Sequence, residues 1–197
     1  IGLNFSDHAA ETGAEAPSEP IVFMKATSCI NGPNDDIEIV SGSKKLDWEV
    51  ELGIIIGKET KHISEDQSQD HILGYCLVND ISEREWQLEK MGQWVKGKSH
   101  DTYGPIGPYL VTKDEIADIN NLKMSLDVNG NRMQTGNTNT MIFNVNVIVS
   151  DGFTGNVALK TAEGTANFIT NELKKTMTGN IMGKISSLLN ISNLKKF

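Results

Sequence analysis

Cysteine and histidine are scarce in this chain. Its 197 residues include two cysteines and four histidines, too few for a disulfide framework or a zinc cluster. Cys76 lies in the apolar run Ile72 to Val78, so the sequence predicts that it is a buried, reduced thiol.

An excess of positive charge and long apolar runs are also absent. The formal net charge is −8 at pH 7, and lysine and arginine do not gather into one stripe, which argues against nucleic acid as a partner. No run approaches the roughly 18 apolar residues of a membrane span, and the first twenty residues carry acids where a signal peptide needs a basic start. We therefore expect no membrane partner and a cytoplasmic location. Because the first residues, from Ile1, have the character of the interior of a motif, we also expect that an N-terminal segment is absent.

The composition that remains is that of a globular protein with one real core. Hydrophobic residues make up 38% of the chain and charged residues 22%. Short apolar segments between residues 21 and 143 predict a mostly β-structured body. Asn129-Gly130 accommodates the positive φ angles of a tight hairpin, which we expect there. The predicted strands are Ile21–Met24, Ile37–Val40, Trp48–Ile56, Leu73–Val78, Tyr109–Val111 and Leu122–Val128.

Helices are predicted near the two ends of the chain. Residues 6–15 begin with Ser6 or Asp7 as a polar cap and are followed by prolines, which predicts one short helix. After Ser150, apolar residues recur at helical spacing and predict two further helices, separated near Gly179. The fold class expected from these patterns is α+β.

Three carboxylates are placed where they need a partner. Glu49 and Glu51 are two residues apart, so on a strand they leave the same face. Asp80 ends an apolar run, where a carboxylate is costly to desolvate without a counter-charge. The three acids suit a hard divalent cation, Mg²⁺ or Mn²⁺, better than zinc. The alternative is a half-exposed strand with a solvated acidic face.

Lys98 completes a literal match to the phosphate-binding pattern G-x-x-x-x-G-K-S that begins at Gly92. That pattern requires a strand before it and a helix after it. Residues 84–91 suggest a helix or loop instead, and residues 103–108 cannot start a helix. We reject the phosphate loop, which leaves a lysine that stabilises negative charge beside a metal, or a solvated loop lysine.

His8 and Glu11 are three residues apart on the predicted N-terminal helix and share one face. The pair is either a histidine base oriented by a carboxylate or an ordinary surface pair. The other histidines, His62, His71 and His100, have no comparable partner and are given no role.

Five sequence blocks occur in a recognisable order and spacing along the chain: Gly2–Glu11, Leu46–Gly53, Val78–Arg84, Gly97–Thr102 and Gly136–Thr138. Together they resemble the fumarylacetoacetate hydrolase family of metal-dependent enzymes. The resemblance covers about residues 1 to 146 and implies a mixed β-roll or barrel, incomplete in this chain.

The resemblance implies a role for nine residues and a reaction. The reaction would be hydrolysis of a C–C bond in a small oxo-acid, an acylpyruvate or diketo acid, through a metal-bound enolate. Isomerisation, decarboxylation and hydration could use the same enolate and remain alternatives, and a homodimer is expected. The implied metal ligands are Glu49, Glu51 and Asp80, the implied catalytic residues are His8, Glu11 and Lys98, and the implied substrate contacts are Arg84, Gln87 and Thr138.

A second resemblance begins at Asp151. Residues 151–161 and the helical pattern beyond them resemble the phosphate acyltransferase family of phospholipid synthesis. The two resemblances predict a truncated catalytic domain over residues 1–150, joined as a chimera to a helical tail over residues 151–197. A non-catalytic fragment with a surviving metal site is therefore a further alternative.

Overall fold

A computed structural model describes residues 1–150. The tail predicted over residues 151–197 lies outside the described residues. Strands and short helices alternate along the described part, consistent with an α+β fold. None of the helices described is both long and apolar enough to span a membrane.

The described residues contain three α-helices and nine strands. The helices are α1 (Ser6–Thr12), α2 (Trp94–Lys98) and α3 (Val145–Ser150), and a π-helix covers Glu85–Glu89. The strands are β1 (Ile30–Asn31), β2 (Leu46–Asp47), β3 (Val50–Ile56), β4 (Ile72–Asn79), β5 (Ser82–Glu83), β6 (Gly104–Pro105), β7 (Val111–Thr112), β8 (Lys123–Val128) and β9 (Asn131–Asn137). Short 3-10 turns cover Thr27–Cys29, Glu65–His71, Lys113–Glu115, Ile119–Asn121 and Thr138–Thr140.

The central sheet has three antiparallel strands in the order β3-β4-β7, and β8 and β9 form a separate hairpin. Two-residue ladders join β1 to β6 and β2 to β5. Within residues 1–150 these sheets do not close into a barrel. Ile21–Met24 and Ile37–Val40 were predicted as strands and are not, because neither segment finds a strand to pair with beyond one bridge at Ile21.

The hairpin prediction is confirmed. Val128 pairs with Asn131, and Asn129 and Gly130 have φ angles of 51° and 80°, the left-handed values that a two-residue turn of this type requires.

The N-terminal helix is shorter than predicted. α1 ends at Thr12 because Gly13, with a φ of 69°, adopts the left-handed conformation that terminates helices, before the prolines are reached. The predicted cap at Ser6 or Asp7 is also wrong, since Phe5 occupies the cap position and no side chain caps the helix.

One hydrophobic core joins β4 to α3. Ile72 and Tyr75 pack with Val145 and Val149, all almost fully buried. Burial of each large apolar side chain stabilises the fold by about 1.5–3 kcal/mol. Helical structure therefore starts at Val145, ahead of the change that was predicted at Ser150. Cys76 is buried and unpaired in the described part of the chain, as predicted.

Candidate active site

Strand pairing places two of the predicted acids side by side. Val50, at the start of β3, pairs with Asn79, at the end of β4. The residues just outside this pair are Glu49 and Asp80, and the Asp80 N–H donates to the Glu49 carbonyl at 2.9 Å. The antiparallel register thus brings together carboxylates that are 31 positions apart in the sequence.

The ammonium of Lys98 lies between these two carboxylates. Its Nζ donates to Glu49 Oε1 at 2.9 Å, to Asp80 Oδ2 at 2.7 Å and to Ser82 Oγ at 2.7 Å. Lys98 is only 1% exposed, so the interpretation of it as a solvated loop lysine is wrong. The two carboxylate partners offset part of the cost of burying this ammonium.

Gly97 allows α2 to pack closely enough against the neighbouring backbone to place Lys98 in the site. A Cβ at residue 97 would lie 2.6 Å from the backbone nitrogen of Gln87 and 2.6 Å from the backbone oxygen of Glu83. Only glycine fits so close to two backbones. The element before α2 is the π-helix Glu85–Glu89 and not a strand, which agrees with rejection of the phosphate loop.

Glu51 adds a third carboxylate next to this pair. Burial, with a further contribution from Glu49, raises the pKa of Glu51 to about 7, while Lys98 acts in the opposite direction. The side chain lines a cleft together with Glu49, and among residues 1–150 its carboxylate has no hydrogen-bond or ion-pair partner. An acid in this position favours either a proton or an added cation.

The donor chemistry of the three acids fits Mg²⁺ or Mn²⁺. All three offer carboxylate oxygens, the ligands that these cations prefer. Within the described residues, however, no three Asp, Glu, His or Cys side chains form a ready-made ligand cage. The predicted convergence is thus observed for Glu49 and Asp80 around an ammonium, with Glu51 beside them.

The predicted dyad lies at the rim of the same cleft. His8 Nδ1 is 4.0 Å from Glu11 Oε2, with side chains 50% and 78% exposed. Both residues line a cavity of about 200 Å³ that also includes Glu49 and Glu51. The structure therefore brings His8 and Glu11 to the acids but leaves the pair open to solvent.

Arg84 and Gln87 meet at the edge of the cleft. Two guanidinium nitrogens of Arg84 contact Asp47 Oδ2 at 2.9 and 2.8 Å, and Nη2 lies 2.7 Å from Glu49. Arg84 Nη1 donates to the Gln87 amide oxygen at 2.9 Å. Gln87 is only 2% exposed, so its observed role is to hold Arg84 and not to line the cleft.

The structure does not bring Thr138 to the acids. Its hydroxyl donates to the Ile119 carbonyl at 2.7 Å and accepts from the Leu122 N–H at 2.8 Å. The residue is buried, and these two bonds tie the end of β9 to the turn before β8. The substrate contact implied for Thr138 is not tested by these two bonds and stays a prediction.

Sequence reasoning missed Lys25, Asp47 and Ser82. Lys25 Nζ donates to Asp80 Oδ1 at 2.5 Å and to the Ile81 carbonyl at 3.0 Å. Burial lowers the pKa of Lys25, although Asp80 opposes the shift. A lone lysine inside the apolar segment Ile21–Ala26 was the available signal.

Comparisons with known proteins agree with these features. The family described as Fumarylacetoacetate (FAA) hydrolase C-terminal matches residues 1–162. A candidate hydrolase from Burkholderia cenocepacia is 57% identical over 150 residues, which are 76% of this chain and 53% of that protein. The structure of 5-carboxymethyl-2-hydroxymuconate delta-isomerase from Mycobacterium smegmatis is 35% identical, with a TM-score of 0.68 over 76% of this chain and 58% of that one. The 2-hydroxyhepta-2,4-diene-1,7-dioate isomerase from Mycobacterium marinum is 36% identical, with a TM-score of 0.66 over 75% of this chain and 53% of that one.

The comparisons also bear on the predicted junction at residue 150. The chain spans about half the length of the curated relatives that it matches. The family match continues to residue 162, beyond the predicted junction. Nothing in the comparisons supports the phosphate acyltransferase resemblance of the tail, which stays a prediction.

Proposed function

This chain belongs to the fumarylacetoacetate hydrolase family, and from that premise we propose a divalent-metal-dependent enzyme that hydrolyses a C–C bond in a small oxo-acid. The observation that carries the proposal is the buried Lys98 ammonium shared by Glu49 and Asp80. Buried charge of this kind, at the edge of a cleft, is typical of catalytic sites.

The three acids and Lys98 have separate roles at the reacting end of the substrate. Glu49, Glu51 and Asp80 would hold the cation, Mg²⁺ or Mn²⁺, which supplies Lewis-acid polarisation of a substrate oxygen when bound. Lys98 adds a positive charge where negative charge develops on that oxygen, in a site where few water molecules screen it. Burial makes this contribution larger than that of an exposed lysine.

Arg84 and the dyad act on the rest of the substrate. Arg84 is fixed by Asp47 and Gln87 at the cleft edge, where it binds a substrate oxygen. His8, oriented by Glu11, takes a proton from the attacking water. The pair is 4.0 Å apart in this structure, and hydrogen bonds of catalytic bases often tighten only when substrate binds.

Isomerisation is the second candidate function. Two solved relatives that are 35% and 36% identical are named as isomerases of unsaturated dicarboxylic acids. Isomerisation needs proton transfer but no attack by water.

The test is a turnover screen with and without Mg²⁺ or Mn²⁺. Acylpyruvates, diketo-sugar acids, oxaloacetate and unsaturated oxo-dioates are offered to the full chain, and pyruvate release and isomer formation are followed separately. We expect metal-dependent pyruvate release that Glu49→Gln abolishes and that Glu59→Gln, at an exposed glutamate outside the cleft, leaves unchanged. Metal-dependent isomerisation without cleavage would favour the second candidate. A folded chain that binds a divalent cation but turns over none of these compounds would support the alternative of a non-catalytic fragment with a surviving metal site.

A further inference from the structure

We infer that Lys25 is a positioning residue that fixes the orientation of the Asp80 carboxylate, one of the three acids that would hold the cation. The inference rests on the proposed function, because it assumes that Asp80 is a metal ligand. It concerns a residue that lies 55 positions before Asp80 in the sequence and outside every motif that pointed to the site.

Lys25 forms two hydrogen bonds with the segment that carries Asp80. Its ammonium donates to Asp80 Oδ1 at 2.5 Å and to the backbone carbonyl of Ile81 at 3.0 Å. The backbone contact prevents the ammonium from following the carboxylate if that side chain rotates. Lys25 therefore restrains Oδ1 of Asp80. The side chains of Lys25 and Asp80 are largely buried, at 18% and 8% exposure.

The two oxygens of Asp80 consequently have different surroundings. Oδ1 faces Lys25, whereas Oδ2 lies 2.7 Å from the Lys98 ammonium, which is also 2.9 Å from Glu49 Oε1. The oxygen on the side of Glu49 is Oδ2. Lys25 therefore holds the Asp80 carboxylate in the orientation that turns Oδ2 towards the ammonium shared with Glu49.

Lys25 is itself held in place by its chain neighbour. The N–H of Ala26 donates to Ser99 Oγ at 2.9 Å, so the segment that carries Lys25 is attached to the residue that follows Lys98. The lysines on the two sides of Asp80 thus come from segments that are bonded to each other. This arrangement keeps both oxygens oriented at once.

A purely electrostatic role for Lys25 predicts the opposite of a positioning role. An ammonium beside Asp80 repels a divalent cation, so removal of its charge alone would tighten metal binding. Loss of an outer-shell partner that orients a ligand typically weakens metal binding by about 10–100-fold. The sign of the change in affinity therefore separates the two roles.

The experiment measures Mn²⁺ binding to the full chain by electron paramagnetic resonance of the free ion, without substrate. We expect Lys25→Met to weaken Mn²⁺ binding by about 10–100-fold. Lys25→Gln keeps a hydrogen-bond donor for Asp80, so it should weaken Mn²⁺ binding by a smaller factor. Lys123→Met, at an exposed lysine on β8, is the matched control and should bind as the wild type does.

The outcomes are separable. If Lys25→Met binds Mn²⁺ as tightly as the wild type or more tightly, Lys25 does not position Asp80. If that variant does not fold, as judged by thermal unfolding, Lys25→Gln decides: weaker binding supports positioning, and equal or tighter binding overturns it. A folded wild type that does not bind Mn²⁺ overturns the proposed function, and this inference with it.

Discussion

The Lys98 ammonium lies 2.7 Å from the Asp80 carboxylate, and both residues are more than nine-tenths buried. Such an ion pair depends on mutual compensation, because each charge alone is costly away from water. Glu49 contacts the same ammonium at 2.9 Å, so the positive charge of Lys98 partly neutralises two carboxylates. The stability of the metal-free protein should therefore depend on Lys98.

Lys98→Met should lower the free energy of unfolding of the metal-free protein by about 1–3 kcal/mol, because it removes one cationic partner of each buried carboxylate, while Lys25 stays beside Asp80 and Arg84 beside Glu49. Urea denaturation measures this loss, and added Mg²⁺ should restore part of it. Lys44→Met removes an exposed lysine that lies 3.6 Å from Glu85 and should change stability by less than about 1 kcal/mol. Equal losses in the two variants would contradict the buried ion pair.

Gly97→Ala should destabilise the protein by about 1–3 kcal/mol, the usual cost of overpacking. The added methyl group would meet two backbone atoms at 2.6 Å, and α2 must move away together with Lys98. Gly136→Ala, where a Cβ meets nothing within 4 Å, is the control and should be nearly neutral. Thermal unfolding of both variants checks this, and a fully stable Gly97 variant would show that α2 moves freely.

His8→Ala should reduce C–C hydrolysis by about 10²–10⁴-fold, the range for loss of a general base. The rate of oxaloacetate decarboxylation should fall much less. That reaction requires stabilisation of the developing negative charge but no attack by water. Steady-state rates for both reactions are compared. His62→Asn is the control, since asparagine tolerates the positive φ of 52° at that exposed histidine. Equal losses in both reactions would argue against a water-activating His8.

Acid should destabilise the protein through His100. Burial lowers the pKa of His100 below its ordinary 6.5, while Glu83 and Asp101 oppose the shift and Lys25 adds to it. The unfolded chain therefore binds this proton at higher pH than the folded protein does, so the contribution of His100 to stability is lost as the pH drops through 6.5. Glu51, whose pKa is raised to about 7, acts in the opposite direction over the same range. His100→Phe should remove this part of the pH dependence. Urea denaturation between pH 7.5 and 5.5 measures it, and an unchanged slope would exclude His100 as its source.

The local patterns of the sequence predicted several elements well. The β3 and β4 segments and the Asn129-Gly130 hairpin were found because alternation and turn chemistry depend on neighbouring residues only. The segments at Ile21 and Ile37 failed because a strand also needs a partner. A pattern of apolar residues cannot show whether that partner is present.

The sequence by itself determined the chemical types at the site: the paired glutamates, the acid at the end of an apolar run, the glycine before Lys98, and the histidine with its acid partner. Family resemblance then placed these residues in one site.

Only the tertiary structure decided which of them meet and how each is held. It buried Lys98 between Glu49 and Asp80, brought Lys25 to the other oxygen of Asp80, and used the Thr138 hydroxyl for the backbone. Ion pairs and hydrogen bonds act over about 3 Å, whereas their partners lie 18 to 55 positions apart along the chain. Strand register and the close packing of α2 set such distances, and no local stretch of sequence contains that information.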